Sequence, residues 1–105
     1  MVDARYDLTV TPPRPGDLEL AGWAWLPRMI DKARATYFGN PGSFSHPCGH
    51  DNLLLTQLGI STDEFRGIIE RTSTDEEVVR EIEALRIAKR SSSLLQRIRR
   101  LGHRT

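Results

Sequence analysis

The run Pro27-Arg28-Met29-Ile30-Asp31-Lys32-Ala33-Arg34-Ala35-Thr36-Tyr37-Phe38 decides the fold. Met29, Ile30, Ala33 and Tyr37 return at the three- and four-residue spacing that puts side chains on one face of an α-helix. Gly39 follows, and predicts a helix end in the left-handed conformation. Gly39-Asn40-Pro41-Gly42-Ser43 is then a loop, because most of its residues are turn formers with specific backbone roles.

Downstream, His46-Pro47-Cys48-Gly49-His50 precedes a helix predicted from about residue 51 to 58, with Leu54, Leu55 and Leu58 inward. Ser61 and Glu64 have capping-box spacing, which starts a third helix over 62–71 that buries Phe65, Ile68 and Ile69. Thr74 and Glu77 repeat the signature for a fourth, from 75 to about 89, with Val78, Ile82 and Leu85 inward. The serines at 91–93 mark either a break or a thinning of the apolar stripe before Leu94, Leu95, Ile98 and Leu101.

Upstream, Tyr6 to Gly16 contains Pro12, Pro13 and Pro15, which remove backbone donors and disfavour helix before them. An extended arm is expected there. From Asp17 to Leu26 the apolar content rises with Leu18, Leu20, Trp23 and Trp25, and both tryptophans are expected in the core. Alternation favours a strand; Asp17 as an N-cap favours a helix kinked at Pro27, and the reading leans to the helix. The whole predicts an all-α fold: a small bundle of four or five short helices with an extended Pro-rich N-terminal arm. The arm covers 1–16, the helical domain 17–90, and a basic amphipathic segment 91–105.

The chain of 105 residues is one domain's worth of material. The lone Cys48 and the lack of a leader-like N-terminal run point to the cytoplasm, and no apolar stretch approaches the roughly 20 residues of a membrane span. Net charge is only +1 but unevenly spread: 61–85 carries eight acids and three bases, 86–105 seven bases and no acid.

Asp7-Leu8-Thr9 with Pro12-Pro13-Arg14, Leu26-Pro27-Arg28-Met29-Ile30-Asp31-Lys32-Ala33-Arg34-Ala35, Cys48 with Asp51, and Leu58-Gly59-Ile60 appear in that order. Together, over roughly residues 5 to 85, they resemble the bacterial domain of unknown function family DUF5069. The resemblance implies a small, mostly stand-alone protein and no assigned activity. Where that family tends to show Cys-Pro-Leu-Asp, this chain has Cys48-Gly49-His50-Asp51, and its C-terminal segment is more basic.

Three constellations carry possible chemistry. His46, Cys48 and His50 with Asp51 are zinc-type ligands, but no second cysteine exists and the remaining histidine, His103, sits in the tail, so no metal and no cofactor are expected. The same residues suit a reactive thiol: Cys48 precedes a helix start, where partial positive charge favours a thiolate, with His50 beside it. The plainer account is a buried, inert cysteine with Asp51 capping the helix. Second, Arg28, Asp31, Lys32 and Arg34 form a polar face on which Asp31 lies three residues from both arginines. It is either a solvated salt-bridge surface or a docking patch for an anionic ligand or acidic partner. Third, in a continuous helix Arg86, Arg90, Arg97, Arg100 and Arg104 fall within about 40° of one line beside Leu94, Ile98 and Leu101. The stripe could bind phosphates, an anionic membrane surface or the acidic segment 61–85 of its own or a neighbouring chain; self-pairing is the leading account, because an intramolecular partner wins on effective concentration. Nucleic acid ranks below it, because no aromatic stacking platform lies near the arginines.

Three function classes follow. The first is a non-enzymatic interaction or regulatory module with a protein partner, using the first-helix patch and the basic segment. The alternative is a small enzyme or ligand-binding protein using Cys48, Asp51 and the first-helix cations, which predicts that those residues converge in one concave site. The third is nucleic-acid or anionic-surface binding through the basic segment.

Overall fold

The structure is a computed structural model that describes residues 6–102, with side chains described for 6–97. Four helices carry the fold: α1 (Leu26–Phe38), α2 (Gly49–Leu58), α3 (Thr62–Arg71) and α4 (Asp75–Gly102). A two-strand antiparallel hairpin precedes them, β1 (Glu19–Leu20) against β2 (Trp23–Ala24), with Leu20 opposite Trp23.

The hairpin corrects the expectation of helix before Pro27. Ala21 and Gly22 both have positive φ (53° and 83°), the backbone that a tight hairpin turn of the mirror-image type demands. Trp25, also at positive φ (75°), then swings the chain into α1. Pro27 therefore sits in the first turn of a helix rather than kinking one, where its missing N–H costs nothing.

A second correction concerns Gly39, whose φ is −140° and not left-handed. Its lack of a side chain serves the arm instead, since a Cβ there would collide with the carbonyl oxygen of Tyr6. That close approach lets Leu8 N–H donate to Asn40 O (2.9 Å) and Asn40 N–H to Tyr6 O (3.0 Å), so the arm lies against the end of α1.

The core is the inward face of every helix: Leu26, Met29, Ile30 and Ala33 from α1, Leu54, Leu55 and Leu58 from α2, Phe65, Ile68 and Ile69 from α3, Val78 and Ile82 from α4. Each fully buried large side chain among them contributes about 2 kcal/mol. Trp23 and Trp25 pack against this core while remaining half-buried. Both expected capping boxes form: Ser61 N–H donates to Glu64 Oε1 (2.8 Å) and Glu64 N–H to Ser61 Oγ (3.0 Å), with the Thr74–Glu77 pair likewise reciprocal. The serines at 91–93 do not interrupt α4, because a serine inside a helix costs only about 0.5 kcal/mol.

Candidate functional site

The hairpin, α1, the loop after it and α2 meet at one carboxylate. Asp51 stands in the first turn of α2 and is completely buried. Its Oδ1 accepts from Trp25 Nε1 at 2.8 Å; its Oδ2 accepts from Lys32 Nζ at 2.9 Å and from the Cys48 amide at 3.1 Å. His46 Nδ1 lies 3.0 Å from Oδ2. Burial alone would raise the Asp51 carboxyl, but the bonds from His46, Lys32, Trp25 and the Cys48 amide outweigh it and hold that carboxyl far below the usual carboxylate range. An ionised Asp51 has no proton to give, so His46 carries its proton on Nδ1 and donates. Its Nε2 is buried, and no hydrogen-bond partner reaches it among the described residues.

Lys32 is the hinge of the cluster. It projects from the middle of α1 with only 3% of its surface exposed, and its Nζ reaches Cys48 Sγ at 3.0 Å as well as Asp51. Cys48, the N-cap of α2, is half-buried. Its sulfur faces the Asp51 amide in a capping-box arrangement. Beyond the sulfur lies an open depression of about 380 Å³ lined by Cys48, Gly49, His50 and Leu53. The His50 ring stacks on Trp25 (centroids 4.4 Å apart, planes at 23°), so the indole that fixes Asp51 also backs a residue that lines the depression. Arg28 covers the same indole, its guanidinium 5.2 Å from the ring centroid.

Set against the sequence, the structure brings Lys32, His46, Cys48, His50 and Asp51 together, but not as a metal centre: among the described residues no group of three or more ligand-type side chains is placed to hold an ion. The α1 patch is corrected. Lys32 and Arg34 are buried at 3% and 6% exposure and are not displayed to water. Arg34 turns inward to donate to Thr72 O (2.9 Å) and Ile69 O (3.3 Å), closing the end of α3. Asp31 pairs with neither neighbouring arginine: it takes the Arg14 amide (2.8 Å) and the Arg14 side chain (Nε 3.0 Å), while the same guanidinium reaches Asp75 at 2.6 Å. Arg28 donates to the Arg14 carbonyl (3.2 Å). Only Asp31 and Arg28 of the four thus hold the arm, through Arg14, which itself bridges to α4.

In the basic segment, Lys89 binds Glu64 (2.6 Å) and Gly59 O (2.8 Å), and Arg86 lies 3.6 Å from Glu83 with its guanidinium over Trp23. Arg90 and Arg97 are exposed, and among the described residues no carboxylate pairs with them. Arg100 lies beyond the described side chains, and His103 and Arg104 lie outside the described residues. No helix among the described residues is long and apolar enough to cross a membrane.

Sequence reading missed Trp25 and Arg14 as functional partners. Trp25 was expected only as a core anchor, two residues before Pro27; Arg14 was visible as the one cation among the prolines of the arm.

The profile of the domain of unknown function family DUF5069 matches residues 10–101, and the chain belongs to that family. No curated protein and no solved structure matches it.

Proposed function

We propose that this member of a family without an assigned activity is a small thiol-dependent protein, in which Cys48 captures or reacts with a small ligand in the depression that it lines. The observation that carries the reading is one ammonium shared between two groups: Lys32 Nζ is 3.0 Å from Cys48 Sγ and 2.9 Å from Asp51 Oδ2. An ammonium and a helix-terminal amide directed at one sulfur are the kind of surroundings in which thiols take part in chemistry. Asp51 positions the lysine, Trp25 and His46 position Asp51, and His50 and Leu53 border the space a ligand would enter. Burying an ion pair in so small a protein rarely improves stability over apolar packing, whereas ligand and reaction sites use such arrangements. The convergence of Cys48, Asp51 and one first-helix cation beside a concave surface is the arrangement expected of the enzyme or ligand-binding class. The docking-module reading has lost Lys32 and Arg34 as contact residues and rests on α4 instead.

The test is the rate of Cys48 alkylation by iodoacetamide near neutral pH, measured on the whole protein. Wild type should react at least about tenfold faster than Lys32→Met/Asp51→Asn, a double variant that removes both charges and leaves none unpaired. Equal rates in a folded double variant would remove the basis of the reading, and Cys48→Ser controls for labelling elsewhere.

A further inference from the structure

The outward face of α4 runs unbroken from the body of the fold into a half-helix that nothing among the described residues covers. Glu76, Arg80, Glu83, Ile87, Ser91 and Leu94 are all exposed and follow one another at three- and four-residue steps, so they share one side of the helix. Val78 and Ile82 face the core from the opposite side. Residues 90–97 are exposed throughout, and Ile87, Leu94 and Leu95 keep 58%, 57% and 54% of their surface in water. With 28 residues, α4 is about 42 Å long, within a molecule whose longest dimension is 64 Å.

The charges along this face are split. Glu76 and Glu83 lie in the half that packs on the body; Arg90 and Arg97 lie in the half that does not. A parallel copy in register brings no glutamate to the level of Arg90 or Arg97. An antiparallel copy related by a twofold axis at Ile87 sets residue 90 level with 84 and residue 97 level with 77. Arg90 then meets Glu83 of the second copy, and Arg97 meets Glu76, on the same flank of the pair. Leu94 falls level with Arg80, whose aliphatic stem can cover it, and the two Ile87 side chains meet at the axis. The bodies stay apart, because each packs on the other side of its own α4.

We infer that the exposed face of α4 is a self-association surface, and that its occupant is a second copy of this chain in antiparallel, twofold-symmetric register about Ile87. Closed twofold pairs are the commonest form of self-association, and the contact is self-complementary in both apolar and charged positions. The inference is independent of the Cys48 reading, since none of its residues touches that site.

Sedimentation velocity on the full chain across a concentration series tests it. Wild type should show a concentration-dependent monomer–dimer equilibrium. Arg90→Glu/Arg97→Glu and, separately, Glu76→Arg/Glu83→Arg should each weaken the dimer by at least about tenfold, because every cross-pair becomes a like-charge contact. Mixing the two variants one to one should restore dimer, since all four cross-pairs are then opposite in sign. All four positions are exposed, so folding is not at risk, and circular dichroism verifies it. A wild type monomeric at every concentration, a dimer indifferent to both reversals, or variants that fail to recombine would each overturn the inference. So would a monomer whose Arg90 and Arg97 are needed for binding vesicles of phosphatidylcholine and phosphatidylserine, which would give the face to a lipid surface.

Discussion

The indole N–H of Trp25 donates to Asp51 Oδ1 at 2.8 Å and so ties the residue that opens α1 to the carboxylate that caps α2. Because Asp51 also accepts from Lys32, His46 and the Cys48 amide, its removal strands several buried donors at once. Asp51→Ala should therefore cost about 3–5 kcal/mol in urea unfolding, the range for breaking one side of a buried pair. Lys32→Met added to Asp51→Asn should be less destabilising than Asp51→Ala, because the uncompensated ammonium is gone. A double variant no more stable than the single would show that Lys32 is not the group Asp51 chiefly neutralises.

Acid should reveal the same carboxylate. The Asp51 carboxyl is depressed by its hydrogen bonds despite burial, and the Asp75 carboxyl is depressed chiefly by its bond to Arg14. A folded-state depression favours folding fully above the unfolded value, near 3.9 for an aspartate, and that contribution fades as pH falls through the folded value. Stability should thus be flat with respect to these two groups around neutrality and decline below about pH 4. In Asp51→Asn the decline should be shallower, so the gap in urea midpoint between it and wild type narrows toward pH 2–3. A gap that stays constant would mean that Asp51 is not ionised in the fold.

Arg14 holds the arm by a different logic, since one guanidinium bridges Asp31 on α1 and Asp75 at the start of α4. Its side chain is 35% exposed, so screening limits its worth to about 1–2 kcal/mol. Arg14→Ala should cost that much. It should also speed hydrogen exchange at the Leu8 and Arg14 amides, whose partners lie on Asn40 and Asp31, while amides within α3 change little. Arg14→Lys should recover only part of the loss, because a point-like ammonium lacks the fork that spans two carboxylates. Unchanged exchange at Leu8 in Arg14→Ala would show that the Tyr6–Asn40 backbone bonds hold the arm unaided.

Which parts of this were legible in the sequence follows from how far each cause reaches. Helices α1, α3 and α4 could be read because three- and four-residue spacing and the Ser61–Glu64 and Thr74–Glu77 boxes are local. The hairpin could not, because Leu18, Leu20 and Trp23 suit either a helix face or a strand, and only the backbone at Ala21 and Gly22 decides. Asp51 was legible as a group at the head of α2, although it stands at the third helical position with Cys48 as the N-cap; its partners Trp25 and Lys32 stand 26 and 19 residues away, and nothing local announces them. For Asp31 the local rule misled: Arg28 and Arg34 offered i,i+3 pairs worth a few tenths of a kcal/mol. Arg14 supplies a backbone amide and a bidentate side chain, and wins.

The distal half of α4 allows the sharpest separation of folding from association. Ile82 is buried and Leu85 packs against the core, while Lys89 still reaches Glu64 on α3; from residue 90 to 97 every side chain is exposed. Ending the chain after Lys89 removes no buried apolar group among the described residues, so the unfolding free energy of the monomer should stay within about 0.5 kcal/mol of wild type. Ending it after Arg80 deletes Ile82 and Leu85 and should abolish cooperative unfolding, because losing one buried aliphatic side chain costs roughly 2–5 kcal/mol in a fold whose total stability is of order 5–15 kcal/mol. Thermal and urea melts at low micromolar concentration would read both variants as monomers. A large loss on ending after Lys89 would mean that the exposed half of α4 helps hold the body together, and that a partner for it must be sought within the same chain.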